Sequence, residues 1–372
     1  MELFVKTIPL CPKGFYVRIH FIMKRVMDGR KSHRIGMLVL PVAFFVVFAL
    51  SFLVGRYPVS PITALKILFS KVLSFFSMGR LSLSGWTGSE EAVVVNIRFP
   101  RIAAASLIGA ALSVSGASFQ GIFRNPMVSP DLLGASTGAG FGAALAILLG
   151  GGYFSIALSS FSFGIVAVFL AVMVAKKSRI DSTLSLVLAG VMISSLFSSG
   201  TSLVKLMADT QDQLPAITYW LMGSLASVKM KDFVFAFFPI VLGLIPILLL
   251  RWRINLLTLN EDEAKSMGIE VKKMRLLVIL SSTLMTAGAV SISGMIGWVG
   301  LVIPHFSRLI FGDDYSLTLP SSAFLGATFL LLVDDLARIV STAEIPLGIL
   351  TSFVGAPVFL FLIIKGGIRN ET

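Results

Sequence analysis

The chain is poor in charge, acid and sulfur. Of its 372 residues only 13% are Asp, Glu, Lys or Arg, and just 19 are acidic. A soluble domain carries about a quarter charged residues, so an ordinary water-soluble globule is excluded. The single cysteine, Cys11, rules out an internal disulfide and a Cys-based metal cluster. Two of the three histidines, His20 and His33, lie in a basic N-terminal stretch away from His305, so no His cluster exists. Neither His-Glu-x-x-His nor a nucleophile with an adjacent base occurs, and an intramembrane enzyme lacks its parts. Also missing is any Gly-x-x-x-x-Gly-Lys-Ser/Thr loop, so the chain cannot bind and hydrolyse ATP by that route.

What is present is apolar residue in bulk, 56% of the chain, with a mean hydropathy of +0.91. Apolar segments fall at about 36–54, 99–121, 131–150, 153–175, 183–204, 232–250, 276–298, 300–311, 321–340 and 346–364. At about 20 residues per crossing, these predict an all-α integral membrane protein of about ten spans with no separate soluble domain. The first run is too long for a signal h-region and no small-residue cleavage site follows it. Leu10 is too large for a lipoprotein cleavage site before Cys11, and Met23 also reads as a start.

The net charge of +12 is a topology signal. Lys and Arg crowd residues 1–35, the Lys176-Lys177-Arg179 turn and the stretch Arg251 to Arg275, and Lys365 and Arg369 follow the last apolar run. Placing these together on the inner side satisfies the positive-inside bias, with both termini cytoplasmic. No basic patch interleaves with exposed aromatics, which argues against nucleic acid. The linker 55–97 then lies outside, partly as an interfacial helix. So does 205–231, where Leu214 to Gly223 reads as a short surface helix with Pro215 in its first turn.

The run from Gly294 to Arg308 is glycine-rich, apolar and interrupted by Pro304-His305. In a bilayer it reads as a packed helix whose glycines permit close approach and whose proline breaks it. Ser113, Ser115, Gly116, Pro126 and Gly134 recur at one fixed offset as Ser291, Ser293, Gly294, Pro304 and Gly312. Five crossings separate the copies, so they run in opposite directions, as in an inverted repeat. His305 either satisfies carbonyls freed by the proline or ligates a metal.

Between Arg251 and Arg275 the residues predict two short helices, the second capped by Asn260 or Thr258, begun by Glu261 to Glu263 and ended by Gly268. Such a hairpin suits a groove on another protein, or it is a solvated connector. Arg98, Arg101 and Arg338 close the outer ends of the second and ninth spans, where arginine commonly anchors to headgroups. Asp181-Ser182-Thr183 opens the fifth span and can cap it. Asp334 stands at i, i+4 to Arg338, so the pair Asp334-Asp335 is either a structural salt bridge or a proton relay.

Several motifs together, Arg98-Phe-Pro-Arg101, Gly109 to Gln120, Arg124-Asn-Pro-Met127, Gly297 to His305, Asp334 to Arg338 and Glu344 to Phe359, resemble the FecCD-type permease subunits of ABC importers for iron–siderophore, haem and vitamin B12. The likeness runs from about residue 40 to 367. It implies a homodimer whose interface forms the path, two ATP-binding subunits inside, a substrate-binding protein outside and a metal-chelate cargo. It implies no cofactor on this chain, with ATP-Mg used by the partner. Asn255, Leu259, Glu261, Asp262, Glu263, Ala264 and Gly268 match the coupling element, within a loop of about 252–274. By the same likeness Arg98, Arg101 and Arg338 dock the binding protein, while Ser182 and Thr183 form a gate. The implied layout is a cytoplasmic arm at 1–35, one permease domain at 36–367 and a tail at 368–372, in the inner membrane. Iron–siderophore leads among cargoes, with haem, cobalamin and molybdate open. The rival reading is an autonomous ion-coupled transporter using Asp334 and Asp335.

Overall fold

A computed structural model describes residues 30–55, 57–76, 85–178, 182–340 and 344–369, with no strand among them. Expectations for Cys11, Met23, Asp181 and the last three residues lie outside the described residues, as does most of the basic arm. In chain order the helices are α1 (Arg30–Ser51), α2 (Pro61–Phe76), α3 (Gly88–Ala92), a π-helical turn (Val93–Arg98) and α4 (Phe99–Phe123). A 3-10 turn (Pro130–Leu133) leads to α5 (Ala135–Leu148), α6 (Tyr153–Lys177), α7 (Ser182–Met207) and α8 (Gln213–Met222). Then follow α9 (Met230–Leu249), α10 (Arg251–Leu257), α11 (Glu261–Ser266), α12 (Val271–Ser293), α13 (Val299–Phe311), α14 (Tyr315–Val340) and α15 (Leu347–Arg369).

Six helices, α4, α6, α7, α9, α12 and α14, are long and apolar enough to cross a membrane, and α1, α5, α13 and α15 are shorter apolar helices. Together they are the ten spans read from the sequence. The internal repeat is plain in their lengths: 22, 25, 14, 25 and 26 residues for α1, α4, α5, α6 and α7. The second half answers with 20, 23, 13, 26 and 23 for α9, α12, α13, α14 and α15. Five crossings apart, equivalent helices run in opposite directions.

The fixed offset is not that repeat. It sets Pro126, in the turn after α4, on Pro304 inside α13, and Gly134, before α5, on Gly312, after α13. The connection 124–134 in the first half is longer than 294–298 in the second, so register is lost after the first helix of each pair. The break in the glycine-rich run also moves: the chain unwinds over Gly294 to Trp298, and α13 continues through Pro304. Proline has no N–H to give the carbonyl four residues back. That carbonyl belongs to Gly300, and Gln120 of α4 reaches it with Nε2 at 3.4 Å, as it does Leu301 O at 3.4 Å and Val128 O at 3.3 Å. A side chain from the neighbouring span therefore lets the helix run on.

α4 and α12 form the centre: 83% and 78% of their apolar windows are buried, against 22% for α7 and 28% for α9. α4 is lined with Gly, Ala and Ser, and lipid offers no hydrophobic drive for helix association, so close backbone packing supplies it. A Cβ on Gly109 would meet the Gly326 carbonyl of α14, and one on Gly116 the Gly300 carbonyl of α13. Ser113 Oγ donates to Ser322 O across the same seam at 2.7 Å.

Candidate functional site

Two groups of the candidate side chains gather at the two ends of the α4/α14 pair. At one end the π-helical turn feeds directly into α4. Arg98 and Arg101, three residues apart, share one helix face and both point inward. Arg101 donates from Nε to both oxygens of Asp334 at 2.9 and 3.1 Å, and from Nη1 to both oxygens of Glu344 at 2.9 Å. Arg338 Nε lies 3.2 Å from Asp334 Oδ2, and Arg338 also pairs with Asp335. Ser51 Oγ donates to Asp335 at 2.7 Å, and Arg338 Nη1 to Val54 O at 2.9 Å. Arg98 donates to the carbonyls of Phe52 and Tyr57, which end α1 and begin the linker.

The expected salt bridge from Asp334 to Arg338 is therefore present, as one edge of a larger cluster. Arg98, Arg101 and Arg338 are only 4, 6 and 8% exposed. The structure turns them into the protein, where their partners are intramolecular, and not out toward headgroups or an outer protein. Their forks match carboxylates and carbonyls that would otherwise be buried without donors. Glu344 is the most open carboxylate of the three, with a quarter of its side chain exposed.

At the other end the hairpin α10–α11 forms as its residues dictate. Asn260 caps α11, its backbone N–H donating to Glu263 at 3.1 Å in a reciprocal capping box, and Gly268 ends it with φ +80°. Ala264 is buried against the body, Leu259 is half-buried and Glu263 and Gly268 are exposed. The Asp262 side chain is 98% exposed, and Lys265 lies 3.4 Å from both Glu261 and Asp262. Glu261 first, then Asp262, hold the Lys265 ammonium above its usual range.

Asn255 ties the hairpin to α14: Nδ2 donates to Asp314 at 2.7 Å and Oδ1 accepts from Tyr315 N at 2.7 Å. Burial alone would push Asp314 up, but bonds from Asn255 and Ser316 outweigh it and hold the carboxyl below its usual range. Arg124, in a left-handed turn (φ 51°) at the end of α4, donates to Leu257 O at 3.2 Å and Asn260 at 3.5 Å. Sequence reasoning missed Asp314 and the bracing role of Arg124. Asp314 carried a signal, an Asp just before a helix start.

An apolar cavity of about 650 Å³ lies among α8, the unwound Gly294–Trp298 segment and α15, lined by Met222, Met295, Gly297, Ser352 and Phe353. Trp298 holds φ 71°, a strained value for a side chain of its size. Its ring rests against Gly355 and Phe359. Gly294 (φ +69°) and Gly223 pack where a Cβ would strike backbone. His305 is half-buried on α13. Thr183 is half-buried in the first turn of α7, and the Ser182 side chain lies outside the described residues.

A profile of the FecCD transport family matches residues 43–365. The chain is 43% identical over 284 residues to the molybdate import system permease MolB of Haemophilus influenzae, covering 76% of this chain and 84% of that one. It is 38% identical over 322 residues to the hemin transport permease HmuU of Yersinia pestis, covering 81% and 94%. A solved structure described as of the metal-chelate ABC transporter type, in an inward-facing conformation, superimposes with a TM-score of 0.78 at 38% identity. It covers 88% of this chain and 98% of its own.

Proposed function

Because the chain belongs to the FecCD transport family, as a permease subunit of an ABC importer, we propose that it passes a metal chelate of the iron–siderophore class, driven by ATP-Mg in a partner subunit. One observation carries this reading: the glycine-packed α4/α14 pair bears the coupling hairpin's bonds at one end and the charge cluster at the other. Movement of Asn255 and Arg124 is thus delivered to the helices that carry Arg101 and Asp334. The apolar cavity beside α15 offers no charge for tight binding, which suits the release of a large, rigid cargo. Molybdate, hemin and cobalamin remain alternatives, since relatives are named for each.

The working unit in this proposal is a homodimer with two ATP-binding subunits on the face of α10–α11 and a binding protein on the other. Residues 36–367 form the permease domain, with an arm at 1–35 and a tail at 368–372 on the cytoplasmic side. Gly36, at the start of α1, packs beside Phe311, near the hairpin end, which supports that placement of the N-terminus. Ser182 and Thr183 remain the proposed gate. The ion-coupled rival is disfavoured because the Asp334 and Asp335 carboxylates are already held by Arg101, Arg338 and Ser51.

The test is copurification of the solubilised chain with its partners from native membranes, followed by transport in liposomes. A stoichiometric ATPase, and uptake of ferric siderophore that needs ATP and survives an uncoupler, are expected. Uptake driven by an ion gradient without ATP would overturn the reading.

A further inference from the structure

A second cavity, of about 450 Å³, forms a groove between α6 and α12. Its floor is apolar and tightly packed, with Val168 3% and Ile279 2% exposed, while Phe169 and Leu280 stand up as walls at 59% and 55%. The hydroxyl of Thr283 in the floor is turned back to Ile279 O at 2.7 Å, so it offers no donor to the groove. Along α6 the groove runs from Ile165 to Lys176. At 1.5 Å per residue that is roughly 16 Å, about half of a hydrocarbon core ~30 Å thick.

One end is basic. Lys176 lines the groove, Lys177 follows it, and Lys272 begins the antiparallel α12 beside them. Among the described residues no carboxylate lies within ion-pair distance of these three lysines. An apolar slot one leaflet deep, closed by lysines at the membrane face, matches the form of a lipid. Two copies of the chain meeting here about an axis along the bilayer normal would instead set lysine clusters side by side.

We propose that this groove holds an acyl chain of an anionic phospholipid, with the headgroup phosphate against Lys176. The proposal rests on the membrane placement of the chain and not on its cargo. The full chain is reconstituted in vesicles of equal phosphatidylglycerol and phosphatidylcholine, extracted gently and weighed by native mass spectrometry.

One phosphatidylglycerol is expected per chain, retained about fivefold in preference to phosphatidylcholine, the worth of a single lysine near a lipid phosphate. Lys176→Gln should bring that preference to parity. Leu280→Trp, at an exposed wall, should plug the groove and expel both lipids while the lysine stays. Equal retention of the two lipids by the wild type, or an unchanged preference in Lys176→Gln, would overturn the proposal. So would thermal stabilisation by inorganic phosphate alone equal to that by phosphatidylglycerol, which would mark a plain ion patch. Disulfide formation between copies carrying Leu280→Cys in the bilayer would assign the groove to a second copy.

Discussion

α4 carries an arginine near each end, and the two do opposite work. Arg101 is buried between Asp334 and Glu344, with its fork fully engaged by carboxylates. Arg124 is exposed and braces a hairpin through a backbone carbonyl and an amide. The same residue type on the same helix thus builds a stiff, high-stakes cluster at one end and an adjustable joint at the other. In low-dielectric surroundings an ion cluster tolerates no missing member. At the hairpin, water replaces what is lost.

That contrast can be broken by experiment. Asp334→Ala removes the carboxylate shared by Arg101 and Arg338, leaving them only Glu344 and Asp335, and should cost about 3–5 kcal/mol in thermal or denaturant unfolding. A loss below about 1 kcal/mol would show that the arginine–carboxylate cluster is no stiffer than the hairpin. Next comes the seam joining the ends. Gly109→Leu drives a side chain into the Gly326 carbonyl of α14 and should cost about 1–3 kcal/mol, with ATP hydrolysis uncoupled from transport in reconstituted complexes.

Asn255→Ala should cost about 1–2 kcal/mol through the two bonds it removes. It also sharpens the comparison by pH. Asp314 is held below its usual range in the folded chain, so its stabilising share is present above the unfolded carboxylate pKa and lost as pH falls through the folded one. Acid unfolding curves of the Asn255→Ala variant should lack that share, converging on the wild type at low pH. Asp262→Lys, at a side chain 98% exposed, should change stability by less than about 0.5 kcal/mol. On the proposed coupling role of the hairpin, it should still lower partner ATPase activity.

The spans, the hairpin with its Asn260 cap and the Asp334–Arg338 pair were legible because each is written locally: an apolar run of span length, a cap residue before a run of acids, an i, i+4 pair. Arg101 and Glu344, 243 residues apart, have no local pattern that announces their pairing. Their inward turn was illegible for a physical reason, since arginine at a span end ordinarily snorkels outward. Pro304 misled in the same way. A proline breaks an isolated helix, and only the placement of Gln120 by a different span shows why this one continues.

The distance in sequence between Arg101 and its partner, 233 residues to Asp334, has a consequence for biosynthesis. At ribosomal rates of ~5–20 residues per second, Arg101 is made roughly 12–47 s before Asp334 exists. α4 enters the bilayer in that interval with an unneutralised guanidinium and a surface of small residues, a poor passenger for lipid. Its retention beside the insertion machinery until α14 emerges becomes a step in the chain's assembly. Truncations ending before Asp334 should leave α4 as the span most easily lost to the aqueous side.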